Sequence, residues 1–581
     1  MSQTPPLRRR ELAAHLAGLL PFFVRTLLIA GLAGVLLLTP TIYMLQVYDR
    51  VVISRDLFTL ISVTVIALSG LVGHSMLEHA RSTQLLRVSE HLTAHFEPRV
   101  FQAAFAASVD PSNADSAARA LPDFNAVRQF LAGPALMVAS ELPWTPIFLA
   151  VLYLLHPLLC WSALGMFALQ FAIVMVVRKR QAERALAVED AAERETVLAR
   201  GISLSAETAS ALGMLPALRE RWLMKRAEHR RVYASAQLTD RKVDAISDYA
   251  RQCQQSLLLG AGAWLVVSGE LTLGGMVAAN MLAARVLGPA GMLVGHWGRA
   301  VAAWEAFLRL ERLLARHATP AANVKGEGPL TEGVVLQGYS AFVSGRDEPI
   351  LQGIDFQAQP GTVTALIGPS GSGKSTLARA LVGAWPDASG RCDIQGRRHG
   401  DWDTAWLSQS VGYLPQDIQL FEGSVAQNIA RFQQVDPGAV IAAARAVGLH
   451  EVILRLPAGY DTPAGTAGQR LNAGLRQRIA LARALYRDPG LVVLDEPDAH
   501  LDETGTRALR DTLMRLRTSG CAVVVVTHRP ALLDVVDTVV VLERGRIRLA
   551  GTVEEVRRQL AAPSRQDSPD FSNPNRPDTS S

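Results

Sequence analysis

The first half of the chain carries long apolar runs, and these constrain the fold more than any other feature. The first run extends without interruption from Thr26 to Tyr48, which is 23 residues. As a helix, a run of that length crosses a hydrocarbon core about 30 Å thick. It is too long for the apolar region of a signal peptide, so it is expected to remain in the mature protein as a transmembrane helix.

Further apolar stretches bring the number of predicted spans to six, and they cover residues 26–48, 57–77, 142–156, 158–177, 254–269 and 273–295. The joints within each successive pair are short. The segments 78–141 and 178–253 are instead long and rich in charge. The positive-inside rule places such long basic segments, and with them both termini, in the cytoplasm. We therefore predict an α-helical, multi-pass membrane domain over residues 1–316.

Bulk composition agrees with a chain that is only partly embedded in a membrane. Its 581 residues are 49% hydrophobic and 19% charged, and the mean hydropathy is +0.17. The net charge of +5 arises largely from basic residues that flank apolar spans, so membrane topology explains it and no nucleic-acid partner is expected. The four cysteines are widely scattered, which favours neither a disulfide framework nor a zinc site.

The second half of the chain has the composition of a soluble domain. Residues 317–332 mix proline, glycine and small residues and are predicted to form a linker. Strand-like apolar runs then alternate with helical stretches, which predicts a parallel-sheet α/β domain over residues 333–560. Residues 561–581 are rich in proline, serine, aspartate and asparagine, and we expect them to be a disordered tail.

A glycine-rich loop follows the predicted strand 363–367 and precedes a helical stretch. The pattern G-x-x-x-x-G-K-[ST] in this strand–loop–helix setting predicts a phosphate-binding P-loop. Its glycines let backbone N–H groups surround phosphate oxygens, the lysine reaches the β- and γ-phosphates, and the serine after it ligates Mg²⁺. The predicted ATP-binding residues are Gly368, Pro369, Ser370, Gly371, Ser372, Gly373, Lys374, Ser375 and Thr376.

An apolar strand that ends in two acids supplies the catalytic half of the predicted site. The run Leu491–Leu494 is followed by Asp495 and Glu496. At the tip of a strand, Asp495 is expected to hold Mg²⁺ and Glu496 to polarise the attacking water as a general base. The order and spacing of these acids after the P-loop predict an ATPase.

Two further polar residues fall in the same order of motifs. Gln416 follows an apolar run and is expected to contact Mg²⁺ and the attacking water, and His528 is expected to bridge to the γ-phosphate. Either residue alone would be read as an ordinary loop side chain. For adenine stacking, Phe342 and Tyr339 are the candidates, and a plain core position is an equally good interpretation of each.

These motifs resemble, in order and spacing, the nucleotide-binding domains of ABC transporters. Short sequence segments in the membrane half resemble those of one branch of this family, the ATPase/permease of bacterial type I protein secretion systems that serve proteases and lipases. Those segments are residues Leu38–Arg50, Phe130–Leu136, Leu142–Trp144, Ala211–Arg219 and Gly262–Trp264.

The resemblance implies a six-helix export domain of the ABC exporter type fused to an α/β P-loop NTPase. It also implies a multi-pass protein of the bacterial inner membrane, in contact with lipid, with the ATPase in the cytoplasm. Two copies would dimerise head-to-tail and work with a periplasmic adaptor and an outer-membrane channel on an unfolded protein cargo with a C-terminal signal. The chain starts almost at its first span, which argues against the bacteriocin-processing and haemolysin-exporter branches.

The signature motif departs from the family pattern LSGGQ. The chain has Leu471-Asn472-Ala473-Gly474-Leu475, and Asn472, Ala473 and Gly474 are the residues that would face a partner's ATP. Asn472 is expected to cap the following helix. Ala473 would cost about 1–2 kcal/mol if its φ were positive, and Leu475 would remove a polar contact.

Just upstream, Thr466 stands where the family usually has glutamate. A homodimer with two slow sites and a heterodimer with one competent site both fit these departures. A regulatory subunit that binds ATP without useful turnover is a further interpretation. The same ATPase and membrane domains would also suit export of a lipid or small molecule, although the segments of the membrane half that resemble protein exporters argue against that.

Overall fold

The computed structural model describes residues 11–110, 113–317, 324–326, 328, 330, 332–343, 348–465, 468, 470–499, 501 and 503–561. Two compact units divide the chain, one of residues 1–108 and 113–318 and one of residues 109–112 and 319–581. The expected linker, 317–332, falls at this division, and much of it lies outside the described residues. Of the expected tail, 561–581, only Ala561 is described.

Within its described residues, the first unit consists of helices. Their order is α1 (Glu11–Gly18), α2 (Leu20–Leu36), α3 (Thr39–Gln46), a π-helical turn (Val47–Val51), α4 (Val52–Ser54), α5 (Leu57–Ser108), α6 (Ala114–Ala132), α7 (Pro134–Glu141), a 3-10 turn (Leu142–Trp144), α8 (Thr145–Leu155), α9 (Pro157–Leu204), α10 (Ala206–Ala211), α11 (Leu215–Val267) and α12 (Leu273–Arg316). Helices α5, α9, α11 and α12 each exceed 40 residues and extend well beyond their apolar stretches.

Close packing of a tryptophan on a glycine joins the first helices to the turn before α8. A Cβ atom on Gly31 would lie 2.5 Å from the ring of Trp144, so only glycine fits beneath the indole. The indole N–H of Trp144 donates a hydrogen bond to the carbonyl oxygen of Leu27 at 2.9 Å. This contact gives the tryptophan of the segment Leu142–Trp144 a role in packing the helices together.

The π-helical turn positions a carboxylate on the start of α12. Asp49 accepts hydrogen bonds from the backbone N–H of Gly274 at 2.9 Å and from the hydroxyl of Thr272 at 2.7 Å. The Thr272 hydroxyl in turn accepts from the N–H of Gly275 at 3.0 Å. Because the first N–H groups of a helix have no partner within it, these contacts fix where α12 begins.

By length and composition, three described helical stretches are able to cross a membrane: Leu20–Ser54, Leu57–Ser108 and Ala114–Leu155. The segment Pro157–Ala172 is a shorter apolar helix. The predicted spans 254–269 and 273–295 fall in and after α11 and in α12, and several side chains of α12 are outside the described set. Three described stretches thus have the length and composition to span a membrane, and the count of six spans stays a prediction.

The second unit contains two sheets. The four-stranded antiparallel sheet has the order β2 (Leu351–Ala358), β1 (Val334–Ala341), β4 (Ala388–Ile394), β5 (Arg397–Arg398). The six-stranded sheet has the order β10 (Arg546–Gly551), β9 (Thr538–Glu543), β3 (Val363–Ile367), β8 (Ala522–Val526), β7 (Leu491–Asp495), β6 (Val411–Leu414), and only its β9–β10 pair is antiparallel.

The helices of this unit are α13 (Lys374–Leu381), α14 (Thr404–Ser410), α15 (Val425–Ile429), α16 (Pro437–Ala446), α17 (His450–Leu454), α18 (Ala473–Leu485), α19 (Glu503–Thr518) and α20 (Val553–Ala561). Every residue of β7 and β8 is buried, as expected for central parallel strands that are covered on both faces. Strands β3, β6, β7 and β8 run parallel, so their carboxyl ends share one edge of the sheet. The predicted ATP-site motifs follow these ends.

Candidate active site

The glycine-rich loop joins β3 to α13 with backbone angles that favour glycine. Gly368 has φ +151° and Gly373 has φ +100°. A Cβ atom on Gly368 would collide with the carbonyl oxygen of Leu542, and one on Gly373 would lie 2.8 Å from a methyl group of Leu351. The loop therefore needs glycine at both positions, and it delivers the chain into α13 with free N–H groups at the helix start.

Lys374, the first residue of α13, directs its ammonium group into this loop. Its Nζ donates hydrogen bonds to the carbonyl oxygens of Gly368 at 3.0 Å and Pro369 at 2.9 Å. Burial lowers the pKa of Lys374, while the nearby carboxylates of Glu496 and Asp495 oppose that shift. A cation buried beside a phosphate-binding loop is suited to neutralise phosphate oxygens.

Asp495 ends β7 with a buried carboxylate that has no hydrogen-bond partner. The residue is 1% exposed, and neither of its side-chain oxygens is satisfied. Burial raises the pKa of Asp495, opposed by the nearby Ser375 hydroxyl. The two side-chain oxygens of Asp495, beside the Ser375 hydroxyl, are suitable ligands for a hard cation such as Mg²⁺.

No cluster of three or more His, Cys, Asp or Glu side chains suited to a metal occurs among the described residues. That is compatible with Mg²⁺, which proteins usually hold through one or two carboxylates together with substrate phosphates.

Glu496 lies directly after β7 in a conformation that is rare for a residue with a side chain. Its φ is +50°, and its backbone N–H donates to the carbonyl oxygen of Val526 at 3.0 Å. Glu496 Oε1 lies 3.9 Å from Nε2 of His528, whose side chain is 52% exposed. The structure thus brings together Glu496 and His528, for which the sequence predicted catalytic roles. Strained backbone of this kind concentrates at functional sites.

A buried glutamine that the sequence motifs did not single out holds the backbone of this turn. Gln477, in α18, is 1% exposed, and its Nε2 donates to the carbonyl oxygens of Pro497 at 2.5 Å and Glu496 at 3.4 Å. Its neighbours in sequence, Arg476 and Arg478, are charged, so no local pattern marked this amide as buried. Gln477 connects that helix to the turn that carries Glu496.

Gln416 and Phe342 remain accessible, whereas Tyr339 does not. Gln416 is exposed two residues after β6, and no hydrogen bond in the described part of the chain engages its side chain. Tyr339 is 5% exposed and packs in the core beneath the antiparallel sheet, so it has no ring face for adenine and is withdrawn as a stacking candidate. Phe342 is partly exposed at the end of β1 and stays the candidate.

The signature residues begin α18. Asn472 is the N-cap, and its side-chain oxygen accepts a hydrogen bond from the N–H of Leu475 at 2.8 Å. Asn472 and Ala473 are exposed, which leaves them available to a second chain. Ala473 is not among the residues with positive φ, so it does not carry the free-energy cost of a left-handed backbone conformation.

Leu475 contributes to the core rather than to the surface, being 6% exposed within the main apolar cluster of this unit. Thr466, the other departure from the family pattern, lies outside the described residues.

Comparison with known families agrees with this geometry. Residues 351–499 match the family described as ABC transporter, and residues 26–290 match the family described as ABC transporter transmembrane region. An AAA domain described as putative AbiEii toxin, Type IV TA system, also matches residues 474–534, within the second unit. The type I secretion system ATP-binding protein PrsD of Rhizobium meliloti (strain 1021) is 36% identical over 559 residues, which is 96% of each chain.

The chain belongs to the type I secretion family of ABC transporters. This transporter is also similar to two toxin-related proteins. The toxin RTX-I translocation ATP-binding protein of Actinobacillus pleuropneumoniae is 28% identical, over 92% of this chain and 76% of that protein. The cyclolysin secretion/processing ATP-binding protein CyaB of Bordetella pertussis (strain Tohama I / ATCC BAA-589 / NCTC 13251) is 29% identical, over 89% and 73%.

The transporter also has the fold of a solved exporter. A bacterial Atm1-family ABC exporter with ATP bound gives a TM-score of 0.79 at 21% identity, covering 94% of this chain and 97% of that one. The predicted fold class, a helical membrane domain fused to an α/β P-loop ATPase, is confirmed. The protein is a membrane-embedded, ATP-driven exporter that binds ATP and couples its hydrolysis to transport.

Proposed function

We propose that this transporter exports an unfolded protein with a C-terminal signal across the bacterial inner membrane. The observation that carries the proposal is similarity to a type I secretion protein over 96% of both chains, membrane half included. Because cargo passes through the membrane half, similarity there bears on the cargo more than an ATPase motif does.

ATP hydrolysis is proposed to use the residues gathered at the edge of the six-stranded sheet. Backbone N–H groups of residues 368–376 and the Lys374 ammonium bind the phosphates, and Glu496 takes a proton from the attacking water. His528, whose Nε2 lies 3.9 Å from Glu496 Oε1, is proposed to contact the γ-phosphate. Ser375, Asp495 and Gln416 are the residues proposed to hold Mg²⁺. That ion, when bound, neutralises charge on the β- and γ-phosphates.

A dimer is proposed to complete each ATP site. Asn472 and Ala473 are exposed at the start of α18, and Gly474 follows them in that helix. A helix N-terminus binds anions well, so these residues suit the ATP of a second chain. We favour a homodimer, since the capping asparagine and unstrained Ala473 leave the helix start intact. A heterodimer with a second, similar chain is the alternative that the altered signature favours.

The partners proposed beyond the dimer are a periplasmic adaptor and an outer-membrane channel. Short joints between spans would face the periplasm, and the long charged helices would face the cytoplasm together with the ATPase. This arrangement makes the transporter the energy-consuming part of a larger assembly. Lipid contacts its apolar helices.

The experiment that tests this proposal is the deletion of the gene in its host and comparison of secreted proteins by mass spectrometry. We expect the loss of one or a few extracellular proteins, restored by the wild-type gene and not by Glu496→Gln. Truncation of the lost protein's C-terminal segment should block its release. An unchanged set of secreted proteins together with an altered lipid or small-molecule profile would contradict protein export and support the other cargo class.

A further inference from the structure

An arginine in the membrane unit is buried with hydrogen-bonding capacity left over. Arg81, in α5, is 3% exposed, and its Nη2 donates to Glu78 at 2.7 Å and to Glu141 at 2.8 Å. Its Nε and Nη1 atoms are buried and have no partner. Those two nitrogens carry three of the five N–H donors of a guanidinium group. A buried cation with unsatisfied donors is costly, which indicates an acceptor that comes from outside the chain.

The unsatisfied arginine lines a cavity of about 310 Å³ between α2, α5, α7, α8 and α12. The charged groups of the cavity are Glu78, Arg81, Glu141 and Arg285, and its apolar wall includes Phe148 and Met292. Arg285 is exposed, and no side chain in the described part of the structure forms a hydrogen bond or ion pair with it. The cavity therefore offers donors on two arginines and acceptors on two glutamates.

Under the predicted topology, this cavity extends from the cytoplasmic boundary of the membrane into the predicted span of α12. Glu78 follows the apolar stretch 57–77, and Glu141 precedes the stretch 142–156, so both lie at the predicted cytoplasmic boundary. Arg285 comes 12 residues after the start of α12 at Leu273, which is about 18 Å along the helix axis. Ionisable residues at such depth are expensive and usually line a polar pathway.

We propose that this cavity binds a short extended segment of the exported polypeptide through its backbone. Carbonyl oxygens of the segment accept from Arg81 and Arg285, its N–H groups donate to Glu78 and Glu141, and an apolar side chain packs on Phe148. Backbone recognition tolerates many sequences, as passage of an unfolded chain requires. A lipid phosphate fits less well, because the two carboxylates beside Arg81 would repel it. The inference rests on the proposed function.

Photo-crosslinking tests the site in the full-length chain in lipid nanodiscs. Met292→p-benzoylphenylalanine reports from the cavity wall, and Trp161→p-benzoylphenylalanine, on an exposed side chain of α9, is the control position. The probes are a 20-residue peptide of Gly, Ser and Ala and the same peptide with its six central backbone N–H groups methylated. We expect a peptide adduct at 292 and not at 161. Methylation should reduce the adduct at 292 strongly.

Arg285→Gln should reduce the peptide adduct at 292 about tenfold, as expected for loss of a charge-assisted hydrogen bond. Arg299→Gln, an exposed arginine of the same helix outside the cavity, is the matched control and should leave it unchanged. Equal melting temperatures would show that both variants fold, whereas Arg81→Gln risks unfolding the buried cluster.

Adducts of lipid alone, or a peptide adduct that survives both methylation and Arg285→Gln, would overturn the inference. With ATPase activity and the secreted proteins of the host unaffected, that result would leave the proposed export function standing.

Discussion

The side-chain amide of Gln477 donates a 2.5 Å hydrogen bond to the carbonyl oxygen of Pro497, directly after Glu496. The helix that carries Gln477 begins with the signature residues. One side chain therefore connects Glu496, the proposed general base for a chain's own ATP, with the residues proposed to face a partner's ATP. Gln477 is thus a positioning residue for Glu496.

Gln477→Ala should therefore impair turnover more than nucleotide binding. Loss of the hydrogen bond lets the strained turn at Glu496 relax, and a displacement of about 1 Å costs up to about 100-fold in rate. We expect kcat for ATP to fall about 10- to 100-fold while KM for ATP stays within about twofold. Gln559→Ala on the exposed face of α20 is the control and should change neither constant. A rise in KM with unchanged kcat would exclude the positioning role.

Asp495→Asn should stabilise the nucleotide-free protein while it abolishes Mg²⁺-dependent hydrolysis. Burial raises the pKa of Asp495, so its ionisation opposes folding at neutral pH. When Asp495 is protonated, which holds in both states below the unfolded pKa of about 4, the native state bears no cost from a buried charge. That stability is lost as pH rises through the folded pKa and the carboxylate ionises. Removal of the charge should add about 1 kcal/mol at pH 7.5 and almost nothing near pH 4.

Thermal unfolding at the two pH values checks this prediction, with Asp511→Asn on the exposed side of α19 as the control. A stability gain of the same size at both values would show that ionisation of Asp495 is not the cause.

Arg431 is expected to be essential for the stability of the ATPase unit. The residue has φ +57°, and its guanidinium donates to the carbonyl oxygens of Arg483 at 2.9 Å, Val411 at 2.9 Å, Ala484 at 3.0 Å and Ser408. It ties the end of α18 to the strand that leads to Gln416. Burial lowers the pKa of Arg431 to about 10, so it remains charged at neutral pH.

Arg431→Lys keeps the charge but cannot reach all four acceptors, because an ammonium has three donors on one atom. We expect a loss of about 2–4 kcal/mol in unfolding free energy, since several buried carbonyl groups lose their partner. Arg507→Lys, on an exposed position of α19, should cost less than about 0.5 kcal/mol. Denaturant titration of both variants measures the difference, and equal midpoints would show that the four contacts contribute little.

Moving the signature closer to the family pattern should raise activity. Asn472→Ser with Ala473→Gly retains a capping side chain and removes a Cβ atom from the exposed start of α18. We expect ATP turnover to increase about two- to fivefold, which corresponds to about 0.4–1 kcal/mol of barrier. Steady-state hydrolysis measures this. Unchanged turnover would mean that the altered signature does not limit the rate, and would weaken the case for a heterodimer.

The parallel sheet and its P-loop were predictable because local patterns determine them. Strand β3 covers the residues predicted for it, 363–367, since an apolar run before a glycine-rich loop has few alternatives. Tyr339 and Gln477 show what local patterns miss. Whether Tyr339 faces a ligand or the core depends on how the antiparallel sheet packs, and the role of Gln477 depends on a contact 20 residues away in sequence.

The signature motif shows the opposite case, in which comparison with a consensus overstated a cost. The cost expected for Ala473 was conditional on a positive φ, and Ala473 is instead the first residue of α18, outside the residues with positive φ. The membrane cavity around Arg81 was invisible to hydropathy, since its glutamates lie just outside two predicted spans and become neighbours only when α5 and α7 pack together.

Mg²⁺-dependent ATP hydrolysis by the purified protein alone in lipid nanodiscs tests the central claim most directly, with Glu496→Gln as the reference. We predict phosphate release that requires Mg²⁺ and falls about 100-fold or more in the variant, because a general base contributes about 10²–10⁴ to the rate. Hydrolysis no faster than that of Glu496→Gln, with ATP still bound, would contradict an autonomous ATPase.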